Sequence, residues 1–246
     1  MMEQLHVQTI SVNWIDADQN TRLDADHIQI WRVNISTFLP SLIQFQTLLE
    51  AEEMKKMQRY QQEKDRKTRI ISRAVLRILL GRYLSVNPTD IRFNSTQNQK
   101  PVLQNLNPQN LNFNVSHSGD WILIALALNP IGIDLEQIDT SFTDQNLLDF
   151  SFSSSEKNYI QAAVSPSKNL YKLWTRKEAL LKATGKGLID DLIQIPSLDG
   201  IHQSPCSLIG SKESWQITSF NIDENHVGST AFMPVKTVLH FLNFQL

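Results

Sequence analysis

Cysteine is almost missing from this chain: Cys206 stands alone among 246 residues, so no intramolecular disulfide can form and no cysteine metal site can be built. A reducing compartment is the simplest reading. Also missing is any stretch near the roughly 20 apolar residues that a membrane-spanning helix requires. Five acids between Ile15 and Glu50 dilute the apolar content of the opening segment, which shows neither a basic leader nor a signal-type hydrophobic stretch. A cytoplasmic protein without membrane association is the expectation. A large excess of positive charge is absent too, and the net charge of −2 speaks against a protein that coats nucleic acid. What is present, 41% hydrophobic and 20% charged residues, is the composition of an ordinary globular protein, long enough for one large or two small domains with real cores.

The small net charge hides an uneven distribution. Between Lys55 and Arg82 lie ten of the 23 Lys and Arg residues and only two acids, Glu63 and Asp65. Helical apolar spacing runs through this basic zone, with Ile71, Val75, Ile78 and Leu79 on one face. Arg69, Arg73 and Arg77 recur at intervals of four on another, as a solvated face or as a contact for an anionic small molecule.

Strand-like "HIQIWRVNI" precedes two helical stretches, "TLLEAEEMKKMQRY" and "KDRKTRIISRAVLRILLGRYL", and "NPTD" then breaks the pattern. After a short strand around "IRFN" and polar turns come three strand-like runs, "LNFNVSHSG", "WILIALAL" and "IGIDLEQI". A second helical block opens where Ser153 is followed by Glu156 in the form of a capping box and closes at Gly185, a good helix terminator. Strands at "SLIG", "WQITSFNI" and "TAFMPV" finish the chain. Helices followed by strands in both halves predict an α+β fold of two units, divided as residues 1–110 and 111–246.

Within "IGIDLEQI", Asp134 and Glu136 point to the same side of a strand while Ile133 and Leu135 point to the other. Two ionised carboxylates that close raise each other's pKa unless a cation or a set of donors compensates them. The face is therefore open to water, or a place for a hard divalent cation such as Mg²⁺, which favours oxygen ligands and keeps several waters, or an acid and base pair working on a substrate, for which no supporting residue lies nearby. On "LYKLWTRKEALLKATGKGL", Glu178 and Lys182 lie one helical turn apart on one face: a surface ion pair, or a third carboxylate and a phosphate-binding cation. The turn "NVSHSGDW" holds Ser116, His117, Ser118 and Gly119, but neighbours on an extended chain point apart and no G-x-S-x-G elbow is present. Phosphate binding suits that turn better than a nucleophilic serine.

Four stretches together closely resemble the Sfp-type 4′-phosphopantetheinyl transferases in order and spacing: Lys100 with Pro101, "FNVSHSG" at 113–119, "GIDLE" at 132–136, and "WTRKEALLKATGKGL" at 174–188. The signature W-x-x-K-E-A-x-x-K-x-x-G-x-G-L is matched at every specified position, and "IQIWRVNI" is similar to cyanobacterial members. The resemblance implies two similar subdomains in a pseudo-twofold arrangement, each a small, mainly antiparallel sheet packed on helices. It implies an enzyme that moves the phosphopantetheine arm of coenzyme A to a serine of an apo acyl, peptidyl or polyketide carrier protein and releases adenosine bisphosphate, with Mg²⁺ or Mn²⁺, working as a monomer. By motif position, Asp134, Glu136 and Glu178 would hold the metal, with Glu178 also the base, and Lys182 would bind phosphate. Ser116 and His117 match positions on the coenzyme phosphates, Lys100 and Pro101 those beside the adenine nucleotide, and Lys56 one near the ribose phosphate. Where several relatives carry an arginine for that phosphate Thr68 stands here, flanked by Lys67 and Arg69. Glu156 matches a family glutamate that helix capping explains equally well. Phe142, Leu147 and Leu148 follow the metal strand and are candidates for meeting the carrier protein or for core packing. A Mg²⁺-dependent nucleotide phosphohydrolase and a coenzyme A-binding module without turnover are the other readings of the same residues.

Overall fold

The segment Trp121–Ala127 is almost wholly apolar, without the alternation of a half-exposed strand, because it is covered on both faces. Ile122, Ile124 and Leu126 enter one core, and Leu123, Ala125 and Ala127 enter another. The computed structural model describes residues 1–17, 23–24, 26–96, 98, 100–104, 110–141, 145–187, 189–234 and 237–246. Phe142 and Leu188, both singled out above, lie outside the described residues.

The strands in chain order are β1 Met2–Thr9, β2 Ile15–Asp16, β3 His27–Asn34, β4 Phe93–Ser95, β5 Pro101–Leu103, β6 Asn112–Ser118, β7 Trp121–Ala127, β8 Ile131–Gln137, β9 Gly200–Pro205, β10 Trp215–Asn221, β11 His226–Phe232 and β12 Val238–Asn243. The helices are α1 Ile35–Phe38, α2 Leu42–Gln46, α3 Ala51–Gln58, α4 Glu63–Leu84, α5 Gln145–Ser151, α6 Ser154–Gln161, α7 Pro166–Thr184 and α8 Cys206–Ile209. One five-stranded sheet has the order β2-β12-β3-β7-β6, another β8-β11-β10-β1-β9, and β4 pairs with β5 alone. This is the α+β architecture of two sheets with helices that the sequence predicts.

Each sheet borrows a strand from the far end of the chain. β1 runs parallel to β10, with Leu5 opposite Trp215, and β12 runs parallel to β3, with Phe241 opposite Ile30. The other main pairings are antiparallel. Side chains from β3, β7, β8, β11 and β12 meet between the sheets, including Ile30, Leu123, Ile133, Leu135 and Phe232, all fully or nearly fully buried. The outer face of the first sheet packs on α4 and that of the second on α7, giving helix, sheet, sheet and helix in layers.

The two long helices have the ends their sequences foretell. Acidic Glu63 and Asp65 lie in the first turn of α4, where the helix dipole favours them. Pro166 opens α7, and Gly185 closes it in the left-handed conformation at φ 71 with its N–H on the Leu181 carbonyl. Ser153 and Glu156 form the predicted capping box at the start of α6. The expected strand at "SLIG" is instead the helical turn α8. An apolar run this short does not distinguish strand from helix by periodicity, and Gly210 at φ 72 supplies a left-handed cap that closes a turn of helix. β1, β9 and β12 have no counterpart in the sequence reading.

Candidate active site

Gly132, Asp134 and Glu136 occupy one face of β8, since side chains alternate along a strand. At Gly132 the helix α7 comes so close that an added Cβ would lie 2.0 Å from the Ala179 carbonyl oxygen and 2.4 Å from the Ala183 nitrogen. Small residues at 179 and 183, one turn apart, make this approach possible. Each directly follows a polar member of the signature, Glu178 or Lys182, so the close seat of the helix brings those two side chains to the strand carboxylates.

Lys182 Nζ lies 2.6 Å from Asp134 Oδ1 and 3.2 Å from Ser116 Oγ, and Ser116 Oγ donates to the same Asp134 oxygen at 3.0 Å. Asp134 is almost wholly buried. Its other oxygen, Oδ2, and Glu178 Oε1 are buried without a hydrogen-bond partner, an expensive state for carboxylate oxygens unless a cation meets them. Burial, with Asp134 adding to it, pushes the Glu136 and Glu178 carboxyls up to about 7. Burial together with the charges of Arg69 and Lys182 pushes His117 down to about 4.

These groups line a cleft of about 570 Å³. α3 and α4 contribute Lys56, Arg69 and Arg73, β6 contributes Ser116 and His117, and β8 and α7 contribute the three carboxylates and Lys182. Among the described residues no three His, Cys, Asp or Glu side chains form a ready-made cage for an ion. Two facts account for this: the Lys182 ammonium already sits on Asp134, and a Mg²⁺ site completes its shell with water and substrate phosphates rather than with protein alone. The acidic oxygen donors and the two orphaned buried oxygens fit such a partly open site.

The row of arginines on α4 divides by depth. Arg77 is fully buried and bonds to Glu50, Glu53 and the carbonyls of Pro88 and Ile91, so it ties α3 and the segment after α4 to the helix. Arg73 reaches the cleft but is paired with Glu53 at 3.2 Å. Arg69 is exposed and lines the cleft, with its guanidinium over the Tyr60 ring. Thr68 is buried, and Lys67 pairs with Glu63 at 2.8 Å beside a different groove. Lys100 directs its ammonium to the carbonyls of Lys182 and Ile131, where burial lowers its pKa to about 8, and Pro101 borders the cleft.

Neighbouring signature residues are structural. Lys177 is fully buried on Glu156 and the carbonyls of Ser151 and Leu192, and Glu156 also accepts from the Ser197 N–H. Leu148 packs against a core that includes Phe152, Ile160 and Leu173. Sequence reading missed Asn114, and it placed Ser118 in a phosphate-binding turn without its bonds to β8. The signal was the period-two spacing of Asn114, Ser116 and Ser118, which puts all three on one face of β6.

Comparison with known proteins covers the same segments. Residues 31–129 match a model described as 4′-phosphopantetheinyl transferase, N-terminal, and residues 130–231 match the 4′-phosphopantetheinyl transferase superfamily model. The chain is 36% identical to a putative 4′-phosphopantetheinyl transferase of Synechocystis over 170 residues, 68% of each protein. With the 4′-phosphopantetheinyl transferase HetI of Nostoc it shares 27% identity over 223 residues, 89% of this chain and 92% of HetI. With Sfp of Bacillus subtilis it shares 30% over 146 residues, 58% of this chain and 63% of Sfp. A likeness of this extent, spanning both sheets and every wall of the cleft, means that the chain belongs to the 4′-phosphopantetheinyl transferase superfamily.

Proposed function

We propose that the protein transfers the 4′-phosphopantetheine arm of coenzyme A to a serine of an apo carrier protein, in the presence of Mg²⁺, and releases adenosine 3′,5′-bisphosphate. The observation that carries this reading is the meeting of Asp134, Glu136, Glu178 and Lys182 on one cleft that also holds Lys56 and Arg69. Acidic groups for a metal and cations for phosphates are what a coenzyme pyrophosphate requires. Asp134, Glu136 and Glu178 would hold Mg²⁺, which supplies Lewis acidity at the attacked phosphoryl group and neutralises the leaving bisphosphate.

Glu178 accepts the proton of the carrier serine as its oxygen bonds to phosphorus and the pyrophosphate P–O bond breaks. The Glu178 side chain lines the cleft, where a carboxylate can act as a general base. Lys182 binds phosphate oxygens and stabilises charge as it develops. Ser116 and His117 contact the phosphates from β6, with Lys100 and Pro101 beside the nucleotide. All of these groups come from one chain, which supports a working monomer. Among the described residues no helix is long and apolar enough to cross a membrane; a cytoplasmic location is part of the proposal.

Incubation with coenzyme A, Mg²⁺ and a panel of apo carrier proteins tests the reading. Mass spectrometry is expected to find a serine-linked phosphopantetheine arm. Coenzyme breakdown without transfer would point to a phosphohydrolase, and binding without consumption to an inactive module.

Arg69 takes the part of the phosphate arginine that Thr68 lacks, because Arg69 opens on the cleft and Lys67 does not. Arg69→Ala is expected to raise KM for coenzyme A about tenfold, the loss of one charge-assisted hydrogen bond, with kcat little changed. Lys67→Ala should leave both constants alone. A KM effect at Lys67 rather than Arg69, read from initial rates, would reverse the assignment.

Metal binding should depend on pH. Below neutrality Mg²⁺ must displace protons from Glu136 and Glu178, so its affinity is expected to rise by about tenfold from pH 5 to 6, and by about fivefold from pH 6 to 7, for each proton displaced. Both carboxyls have folded pKa values above the ordinary 4.5, so their contribution makes the metal-free chain less stable as pH rises through about 7. His117, lowered from 6.5 to about 4, acts in the opposite sense between those values, where the unfolded imidazole holds a proton that the folded one has lost, and its effect is complete by about pH 7.5. The rise in Tm caused by Mg²⁺ should therefore be larger at pH 8 than at pH 6. Equal rises in a thermal-shift series would contradict the assignment of these carboxylates.

A further inference from the structure

β6 and β8 are edge strands of different sheets, and they lie side by side at the cleft. Side chains take the place of a backbone ladder between them. Asn114 Oδ1 accepts from the Ile133 N–H at 2.8 Å, and Ser116 Oγ donates to Asp134 Oδ1. Ser118 Oγ accepts from the Gln137 N–H at 2.9 Å and donates to Glu136 Oε2 at 3.0 Å. A hydroxyl has one proton and two lone pairs, so both Ser118 bonds can exist together.

The turn after Ser118 is pinned as well. Gly119 has φ 59, and a Cβ there would lie 2.4 Å from His226 Nε2 and 2.9 Å from Gln137 Oε1. The turn is thus packed against the side chains of Gln137 from β8 and His226 from β11, next to the point where the Ser118 hydroxyl must be delivered. Glu136 needs that delivery. It is less buried than Asp134, its side chain has three rotatable bonds, and Ser118 gives its carboxylate the one hydrogen bond seen among the described residues.

We infer that Ser118 is a positioning residue for the metal site, holding the Glu136 carboxylate toward the cleft while its second bond fixes the register of β8. The inference rests on the reading of Glu136 as a metal ligand. Partners of this kind, which orient a ligand without touching the metal, typically change metal affinity or activity by about 10- to 100-fold when removed.

The test uses the full chain and Mn²⁺ alone, followed by loss of the free-ion electron paramagnetic resonance signal, together with the Mg²⁺ dependence of transfer. Ser118→Ala is expected to weaken Mn²⁺ binding about tenfold. The half-saturating Mg²⁺ concentration should rise by a similar factor, while kcat at saturating Mg²⁺ stays near that of the unaltered protein. Ser118→Thr, which keeps the hydroxyl, should restore binding. Ser118→Cys, similar in size but a weak donor, should behave like Ala and serves if Ala does not fold. In a Glu136→Ala background the Ser118 effect should vanish. Normal Mn²⁺ binding by Ser118→Ala or Ser118→Cys, with weakened binding by Glu136→Ala, would overturn the positioning role and leave the metal site standing. Normal binding by Glu136→Ala would remove the metal reading and this inference with it.

Discussion

Glu178→Gln is expected to lower kcat/KM for carrier modification by at least about a thousandfold, within the range that general base catalysis supplies, and to do so without loss of stability. The amide keeps the shape of the side chain, so the close seat of α7 on β8 survives. It removes both the proton acceptor and an anionic oxygen that burial leaves unpartnered. Because the Glu178 carboxyl is pushed up to about 7, its ionised form is disfavoured in the folded chain, and above that pH a neutral replacement relieves strain rather than adding it. The Tm of the metal-free variant at pH 8 should equal or exceed that of the unaltered protein. A folded variant that still turns over near the normal rate would show that neither role belongs to Glu178. A variant that loses activity together with several degrees of Tm would show that the side chain is structural.

Gly132→Ala is the second large effect. The added methyl group would meet backbone atoms of Ala179 and Ala183, which cannot swing aside as the end of a flexible side chain can. The helix must move off the strand. Overpacking of a close contact costs about 1–3 kcal/mol, and at about 2–4 °C per kcal/mol for a chain of this size the Tm should fall by roughly 2–12 °C. Activity should fall further than stability predicts, because the displacement separates Glu178 and Lys182 from Asp134, and misplacement of about 1 Å can cost about a hundredfold. Melting curves and single-turnover rates at a temperature where the variant is folded would separate the two effects. Full activity with an unchanged Tm would mean that this contact does not set the distance.

Much of this arrangement was legible in the sequence because it depends on local chemistry. Alternation in "GIDLE" put Asp134 and Glu136 on one face, helical spacing put Glu178 and Lys182 on another, and Gly185 marked the helix end. What escaped depends on partners far away in the chain. β1 carries few apolar residues and pairs with a strand some 210 positions later, so nothing in its own neighbourhood announces it. The arginines at 69, 73 and 77 are alike in spacing, yet one lines a cleft, one is paired at its edge and one is a buried tie, since that outcome depends on where Glu50 and Glu53 fold back. Ser118 looked like part of a turn, and its contact with Glu136 exists only because two sheet edges meet there.

The exchange of terminal strands bears on how such a chain is made. During synthesis β3 is made some 210 positions before its parallel neighbour Val238–Asn243. The opening strand, for its part, waits for Trp215–Asn221 before it has a neighbour of its own on that side. Neither sheet can be completed until these later strands have been made, so closure of both is expected to be slow, as contacts between distant positions form slowly.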